Sequence, residues 1–363
     1  MKIRQKVLTS VLVVSMLGSI PVFATKTTGY DLVADKILSE VTSLYTNYYT
    51  ISNASASVLG TTVSDDGSTV VTVFTNFDRT LKAASADELP YVQGLEAALS
   101  ELTDPDEIST AQAYLDSVKF DMNENYIGKA QATGAEFTVT VPSGLTRASS
   151  NAIDISSITY VGMDEDIPAE NLAPASPDML QANGAAAIET VVEAGLVAMT
   201  RSSTDIQKYN RITARNYARN WSCTGGYTTD HDSCHNPSYS FYNKNDCANF
   251  VSQAICAGGL PTSTTWSKDT SAWISCASLR NYMTGNNFFF QSTNGNKAFA
   301  GSIINWVNSS GASTGHVGLV DQNDTVTMTF CAHTKCRKSC PWAGESVDFY
   351  IPRWDSYGGV WVS

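Results

Sequence analysis

The chain has 363 residues, a net charge of −12, 43% hydrophobic and 16% charged residues, and eight cysteines. This length allows two domains, the composition is that of a globular chain, and the acidic balance argues against nucleic acid or anionic wall polymers as partners. The charge is also uneven: residues 25–208 carry 9 basic against 26 acidic side chains, whereas 209–363 carry 11 against 9, a step that marks a domain boundary.

Residues 1–24 combine Lys2, Arg4 and Lys6 with an apolar run and a Val22-Phe23-Ala24 ending. This pattern predicts a signal peptide, and hence a secreted mature chain without stable membrane insertion. Helical spacing follows from Tyr30 to Tyr48. Thr69–Phe77 and Glu136–Val141 read as strands, and Glu88–Leu102 and Glu107–Val118 as helices, the second capped from Asp104-Pro105-Asp106. These elements predict a small acidic α+β domain over 25–165, a helix on a curved antiparallel sheet in the cystatin-like manner. A strand at Ile155–Met163 belongs to it. Residues 166–200 read as a linker, with Pro168, Pro174 and Pro177, leading into a helix from Met179. The second domain, 201–363, opens with a helix from Tyr209 to Trp221, apolar on one side and carrying Arg211, Arg215 and Arg219 on the other.

A loop holding Cys223 and Cys234 predicts a disulfide in an exported chain. After it, Cys247, Phe250, Val251, Ala254 and Ile255 recur at helical spacing, which places Cys247 at the leading end of a buried helix. Asn245 and Asp246 can cap that helix, and Gly258-Gly259 with Pro261 ends it. The unpaired N–H groups of a first helical turn favour a thiolate and can hold an oxyanion, so this is a place for a nucleophile. Further on, Gly315 to Val320 reads as a strand in which His316 shares its face with Gly318, leaving space beside the imidazole. A thiol at a helix start and a histidine on a later strand are the parts of a nucleophile and its base. Removing one nucleophile from eight cysteines leaves an odd number, so at least one more thiol is free or intermolecular. Cys256 is the candidate for an inert buried one.

Several motifs together resemble the putative amidase domain family, a secreted bacterial branch of papain-like cysteine hydrolases akin to NlpC-type and CHAP enzymes. They are Tyr209-Asn210-Arg211 with Ala214 and Tyr217-Ala218, Asp246-Cys247 through Gln253, Ala257-Gly258-Gly259-Leu260-Pro261, Gly315-His316-Val317-Gly318, and His333-Thr334. The resemblance implies an α+β fold in which a helix carrying the cysteine packs on an antiparallel sheet. It also implies cysteine-dependent hydrolysis of amide bonds in peptidoglycan or peptides, with Cys247 as nucleophile, His316 as acid and base, and His333 orienting His316. Asn305 and Asp321 are the weaker candidates for that third role, Asp321 lying on the opposite face of the strand and beyond its expected end. Papain's upstream glutamine is missing, so Asp246, Tyr242 and Asn243 are candidate oxyanion or supporting residues. No cofactor is implied. Two other readings stay open: an inactive binding module on the same scaffold, and a metal site built from Cys331, His333, Cys336 and Cys340.

Overall fold

The computed structural model describes residues 29–143, 152–198, 205–224 and 234–357. The signal-peptide expectation therefore lies outside the described residues. Helix α1 (Gly29–Ser43) buries Val33, Ala34, Ile37 and Val41 on one stripe, as its spacing predicts. It packs against a five-stranded sheet of order β1-β2-β3-β4-β5, made of β1 (Tyr49–Val63), β2 (Thr69–Leu81), β3 (Gln131–Val141), β4 (Ile158–Val161) and β5 (Asp166–Pro168), antiparallel throughout. Strand β1 escaped the sequence reading because Ser, Ala, Asn and Gly dominate it. It is an edge strand, largely exposed, and pairing with the apolar β2 supplies what its own side chains do not. Helices α2 (Pro90–Glu101) and α3 (Pro105–Asn125) follow, and the Asp104 carboxylate accepts from the Asp106 and Glu107 amides as its cap.

No free linker follows. Residues 166–172 form β5 and a short helical turn with Ile167, Ala169 and Leu172 buried, and helix α4 (Pro177–Ala198) crosses α2 so closely that Gly94 and Gly184 have backbone where a side chain would stand. The second unit begins with α5 (Arg211–Asn220), then α6 (Cys247–Ala257), α7 (Ser271–Ile274) and α8 (Cys276–Gly285). Its sheet runs β10-β9-β8-β7-β11-β6, all antiparallel: β6 (Phe289–Ser292), β7 (Ile303–Val307), β8 (Ser313–Asn323), β9 (Met328–Ala332), β10 (Arg337–Pro341) and β11 (Val347–Pro352). The whole is α+β, with two antiparallel sheets and eight helices among the described residues. None of those helices is long and apolar enough to cross a membrane.

The two units share one core. A single buried cluster joins Phe137, Tyr160 and Val141 of the first to Phe290, Trp306, Phe330 and Phe349 of the second. The arginines of α5, read as the face opposite its apolar side, point into this seam. Arg211, 1% exposed, is bracketed by Asp121 of α3 and by Asp355, whose carboxylate lies 2.6 Å from Nε. Arg219 pairs with Asp321 and donates to Gln131 Oε1 at 3.1 Å. Helical spacing read the three arginines correctly as one face; it could not say that acidic and amide groups of another unit would cover that face.

Candidate active site

Every residue from Cys247 to Ile255 on α6 is buried, including the polar ones, so the helix is enclosed rather than amphipathic. Its polar side chains are hydrogen-bonded inside. Asn249 donates to Ser240 O and accepts from Trp273 Nε1, each at 2.8 Å; Ser252 Oγ donates to Trp273 O at 2.9 Å; Gln253 Oε1 accepts from Tyr217 at 2.7 Å. These bonds satisfy groups that would otherwise be costly to bury, and they tie the flanking loops to the helix.

Asp246 precedes the helix but does not cap it with its side chain. Its carboxylate accepts instead from the Tyr242 amide (3.1 Å) and from Asn249 Nδ2 (2.8 Å), and its Oδ2 lies 2.7 Å from His333 Nδ1. The N–H groups that begin α6 are thus left uncapped beside the Cys247 thiol.

His316 enters from β8, next to Gly315. Gly315 has φ +93 and no atom near the position of an added Cβ, so it supplies both a backbone form that other residues resist and open room at the strand's mouth. Gly318 does not make that room. A Cβ there would stand 2.9 Å from Cys331 O and 3.3 Å from Ile304 and Trp306, so this glycine serves strand packing. The imidazole lies against Cys247. Its Nδ1 is buried and not yet in a well-formed hydrogen bond, while Nε2 stands 3.4 Å from Asp164 Oδ1. Loose nucleophile–base geometry is usual before substrate binds.

Asp164 was hidden in the sequence within an acidic, proline-rich stretch. It sits at the tip of the turn after β4, a turn so tight that a Cβ on Gly162 would lie 2.3 Å from Glu165 O. The second unit pins this turn at several points: Glu345 Oε1 accepts from the Met163 amide (3.2 Å), Lys335 donates to Met163 O (2.5 Å) and Arg337 to Gly162 O (3.3 Å). Thr314 Oγ1 donates to Asp164 Oδ2 at 2.5 Å.

His333 does not reach His316. Its Nδ1 meets Asp246 and its Nε2 meets Trp221 O at 2.6 Å, and the ring stacks on Phe250 at 4.1 Å. It holds the approach to Cys247, with Thr334 Oγ1 accepting from the Asp246 amide at 2.9 Å. The expectation that His333 orients His316 fails because both ring nitrogens are already engaged. Asn305 Oδ1 accepts from the Ser313 hydroxyl (2.8 Å), and Asp321, inside β8 and fully buried, pairs with Arg219 and accepts from Thr329 Oγ1. Of the supporting candidates, Asn243 is exposed and the Tyr242 hydroxyl donates to Asp269 at 2.7 Å. Asn245, read only as a cap, instead lines the cleft beside Cys276 and Gly315.

A second thiol completes the surroundings. Cys276 Sγ, at the start of α8, lies 3.4 Å from Cys247 Sγ and 2.9 Å from Gly315 O. It also lines a cleft of about 580 Å³ with Tyr242, Asn245, Ser271 and Ser275. A hydrogen bond from Cys276, with the nearby His316, lowers the Cys247 thiol to about 4 against the opposing effect of burial. His316 is raised from its ordinary value, first by Cys247 and then by the Asp164 charge, while desolvation works the other way. A thiol lowered this far beside an imidazole that is raised favours the thiolate–imidazolium form of the pair in mildly acidic solution. Iodoacetamide is accordingly expected to modify Cys247 at about pH 5–6, where an ordinary thiol near pKa 8.5 is almost inert, and His316→Ala to move the onset upward. A labelling rate that rises only above neutral pH would contradict the ion pair.

The other cysteines lie apart from this chemistry. Cys223 and Cys234 form a disulfide with Cα atoms 5.7 Å apart. Cys256 is half-buried and Cys331 fully buried, and burial raises both thiols, Cys331 to about 12. The proposed set of Cys331, His333, Cys336 and Cys340 does not converge; Cys340 Sγ lies 3.1 Å from Tyr160 Oη. Among the described residues the metal-type atoms that do come together are Cys223, Cys234 and Cys336, and His235, Asp246 and His333. The first group is largely consumed by the disulfide, and in the second Asp246 and His333 already close on each other at hydrogen-bond distance.

Residues 208–351 match the family model described as "Putative amidase domain". The match points to hydrolysis of amide bonds in general, and it contains Cys247, Cys276 and His316 while leaving Asp164 outside. A stretch of 85 residues, 23% of this chain, is 31% identical to the uncharacterized protein YjcM of Bacillus subtilis (strain 168). The matched part is 18% of that relative, so the chain spans about a fifth of its length. No solved structure matches the chain.

Proposed function

We propose that the protein is a secreted cysteine-dependent amidase of papain-like, NlpC-type architecture that cleaves amide bonds in cell-wall peptides. The observation that carries this is the placement of His316 between two groups, the Cys247 thiol at the uncapped start of α6 and the Asp164 carboxylate. Cys247 thiolate attacks the amide carbon, and the first-turn N–H groups of α6 receive the oxyanion. The His316 imidazolium gives its proton to the leaving amine, then takes one from the water that hydrolyses the thioester. Asp164 holds the ring by Nε2 and stabilises its charged form. The cleft beside Cys276 and Gly315 offers hydroxyl and amide groups of Tyr242, Asn245, Ser271 and Ser275, which suits a peptide backbone better than an apolar ligand.

Purified sacculi incubated with the mature chain are expected to release peptide fragments, detected by mass spectrometry. Release no greater than that from a Cys247→Ala control would overturn the wall-peptide assignment. Asp164→Ala is expected to lower kcat about ten- to a hundredfold with little change in KM, as loss of a group that orients a functional histidine does. Because the Asp164 charge raises His316, the alkaline limb of the pH profile should also move to lower pH. Asp164→Asn keeps an acceptor for Nε2–H, so kcat should largely recover while the alkaline limb stays displaced. An unmoved limb in Asp164→Ala would show that the residue serves only the loop.

A further inference from the structure

The catalytic cycle gives Cys276 no covalent task, yet its sulfur touches that of Cys247 at 3.4 Å. Disulfide formation requires about 2.05 Å, so closing the pair needs a movement of little more than an ångström. Nothing stands between the two atoms, and both belong to first residues of helices, α6 and α8, that pack in the same buried cluster. Cys276 follows Ser275, where extended backbone (φ −111, ψ 126) separates α7 from α8, and the helix immediately before it is the four-residue α7. Its start can therefore shift without breaking a long helix. Cys276 lines the neighbouring cleft, and the Cys247 sulfur lies 3.4 Å behind it.

We infer that Cys276 is a resolving thiol that captures oxidised Cys247 as a Cys247–Cys276 disulfide and so protects the nucleophile in a reversible, inactive form. In the first step Cys247 thiolate attacks hydrogen peroxide, the O–O bond breaks, and the products are Cys247 sulfenic acid and hydroxide, which a proton turns into water. In the second, Cys276 attacks the sulfenic sulfur, the S–O bond breaks, and the Cys276 proton leaves with the oxygen as a second water. Two thiols have lost two electrons and two protons, and one peroxide has become two waters. A dithiol reductant returns both electrons by exchange through a mixed disulfide. The geometry also explains the timing. While Cys247 is a thiolate, its negative charge and its acceptance of the Cys276 hydrogen bond keep Cys276 protonated and idle. Oxidation of Cys247 removes that charge and frees Cys276 to ionise and attack. Cys256 is no substitute, since it lies at the far end of α6 beside Tyr239.

The inference rests on the amidase reading only in taking Cys247 as the reactive thiol, and its test does not need turnover. The full mature chain, exposed to a stoichiometric amount of hydrogen peroxide, trapped with N-ethylmaleimide and digested without reduction, is expected to yield a peptide pair cross-linked through Cys247 and Cys276. Iodoacetamide labelling of Cys247 at about pH 5–6 should fall at least tenfold and return after treatment with dithiothreitol. In Cys276→Ser the cross-link is absent, Cys247 proceeds to sulfinic and sulfonic acid, and dithiothreitol does not restore labelling. Overoxidation of Cys247 in the wild-type chain with no cross-link would overturn the inference, as would equal recovery of wild type and Cys276→Ser. If the cross-link forms while sacculi release nothing under any condition, the wall-peptide reading falls and the thiol pair stands.

Discussion

Replacing Cys247 by alanine is expected to lower amide release by about a thousandfold or more while leaving the chain folded. The loss is large because no neighbouring group can replace the nucleophile. Cys276 is the nearest candidate, but it is held protonated by the Cys247 thiolate that accepts its hydrogen bond. The fold should survive because Cys247 is the first residue of α6, 2% exposed, where alanine is the best helix former and the lost volume is one sulfur atom. His316→Ala should cost nearly as much, and the double variant little more than either single one, since thiol and imidazole act as a unit. Additive losses would mean that the two serve different steps. Cys256→Ala is the internal control: that thiol is raised by burial, lacks a histidine, and should be dispensable.

The second large effect is on folding. The fragment 200–363 contains every residue of the amidase match, yet it is expected to be insoluble or unfolded when expressed alone. Deleting the first unit would uncover Phe290, Trp306 and Phe330, and strip Arg211 of Asp121 within a site from which water is excluded. In the intact chain, Arg211→Met would leave Asp121 and Asp355 buried without their cation. Breaking one side of such a network costs about 3–5 kcal/mol, or on the order of 10 °C in Tm for a chain of this size. Thermal unfolding followed by circular dichroism measures this directly. A soluble, cooperatively folding fragment, or an unchanged Tm in Arg211→Met, would show that the seam is dispensable.

The contact of Asp164 with His316 gives that seam a functional side. The matched segment supplies thiol and imidazole, and the preceding unit supplies the carboxylate beside the imidazole. In our reading the acidic unit therefore does more than cover a surface, and its removal would disarm the site even if the rest stayed folded.

The elements that carry Cys247 and His316 were legible because their signals are local. An apolar repeat at helical spacing ended by Gly258 defines α6, and a β-branched run after Gly315 defines β8; such patterns depend on residues a few positions apart. The capping of α3 by Asp104 and the arginine face of α5 were readable for the same reason. What covers that face was not, and neither was the fate of residues 166–176, whose prolines suit a linker as well as a pinned turn. His333 was assigned by its place after the histidine strand, but the partner of a ring nitrogen depends on which loop folds over it, and here the loops holding Trp221 and Asp246 arrive first. Asp164 and Cys276 carry no local mark at all. A carboxylate in an acidic run looks like solvated surface, and a cysteine opening a second helix looks like core packing. Sequence determined which groups could do the chemistry; only tertiary structure brought Asp164 across some 150 residues to His316 and set a second sulfur against the first, because those distances are fixed by the shared core of the two units.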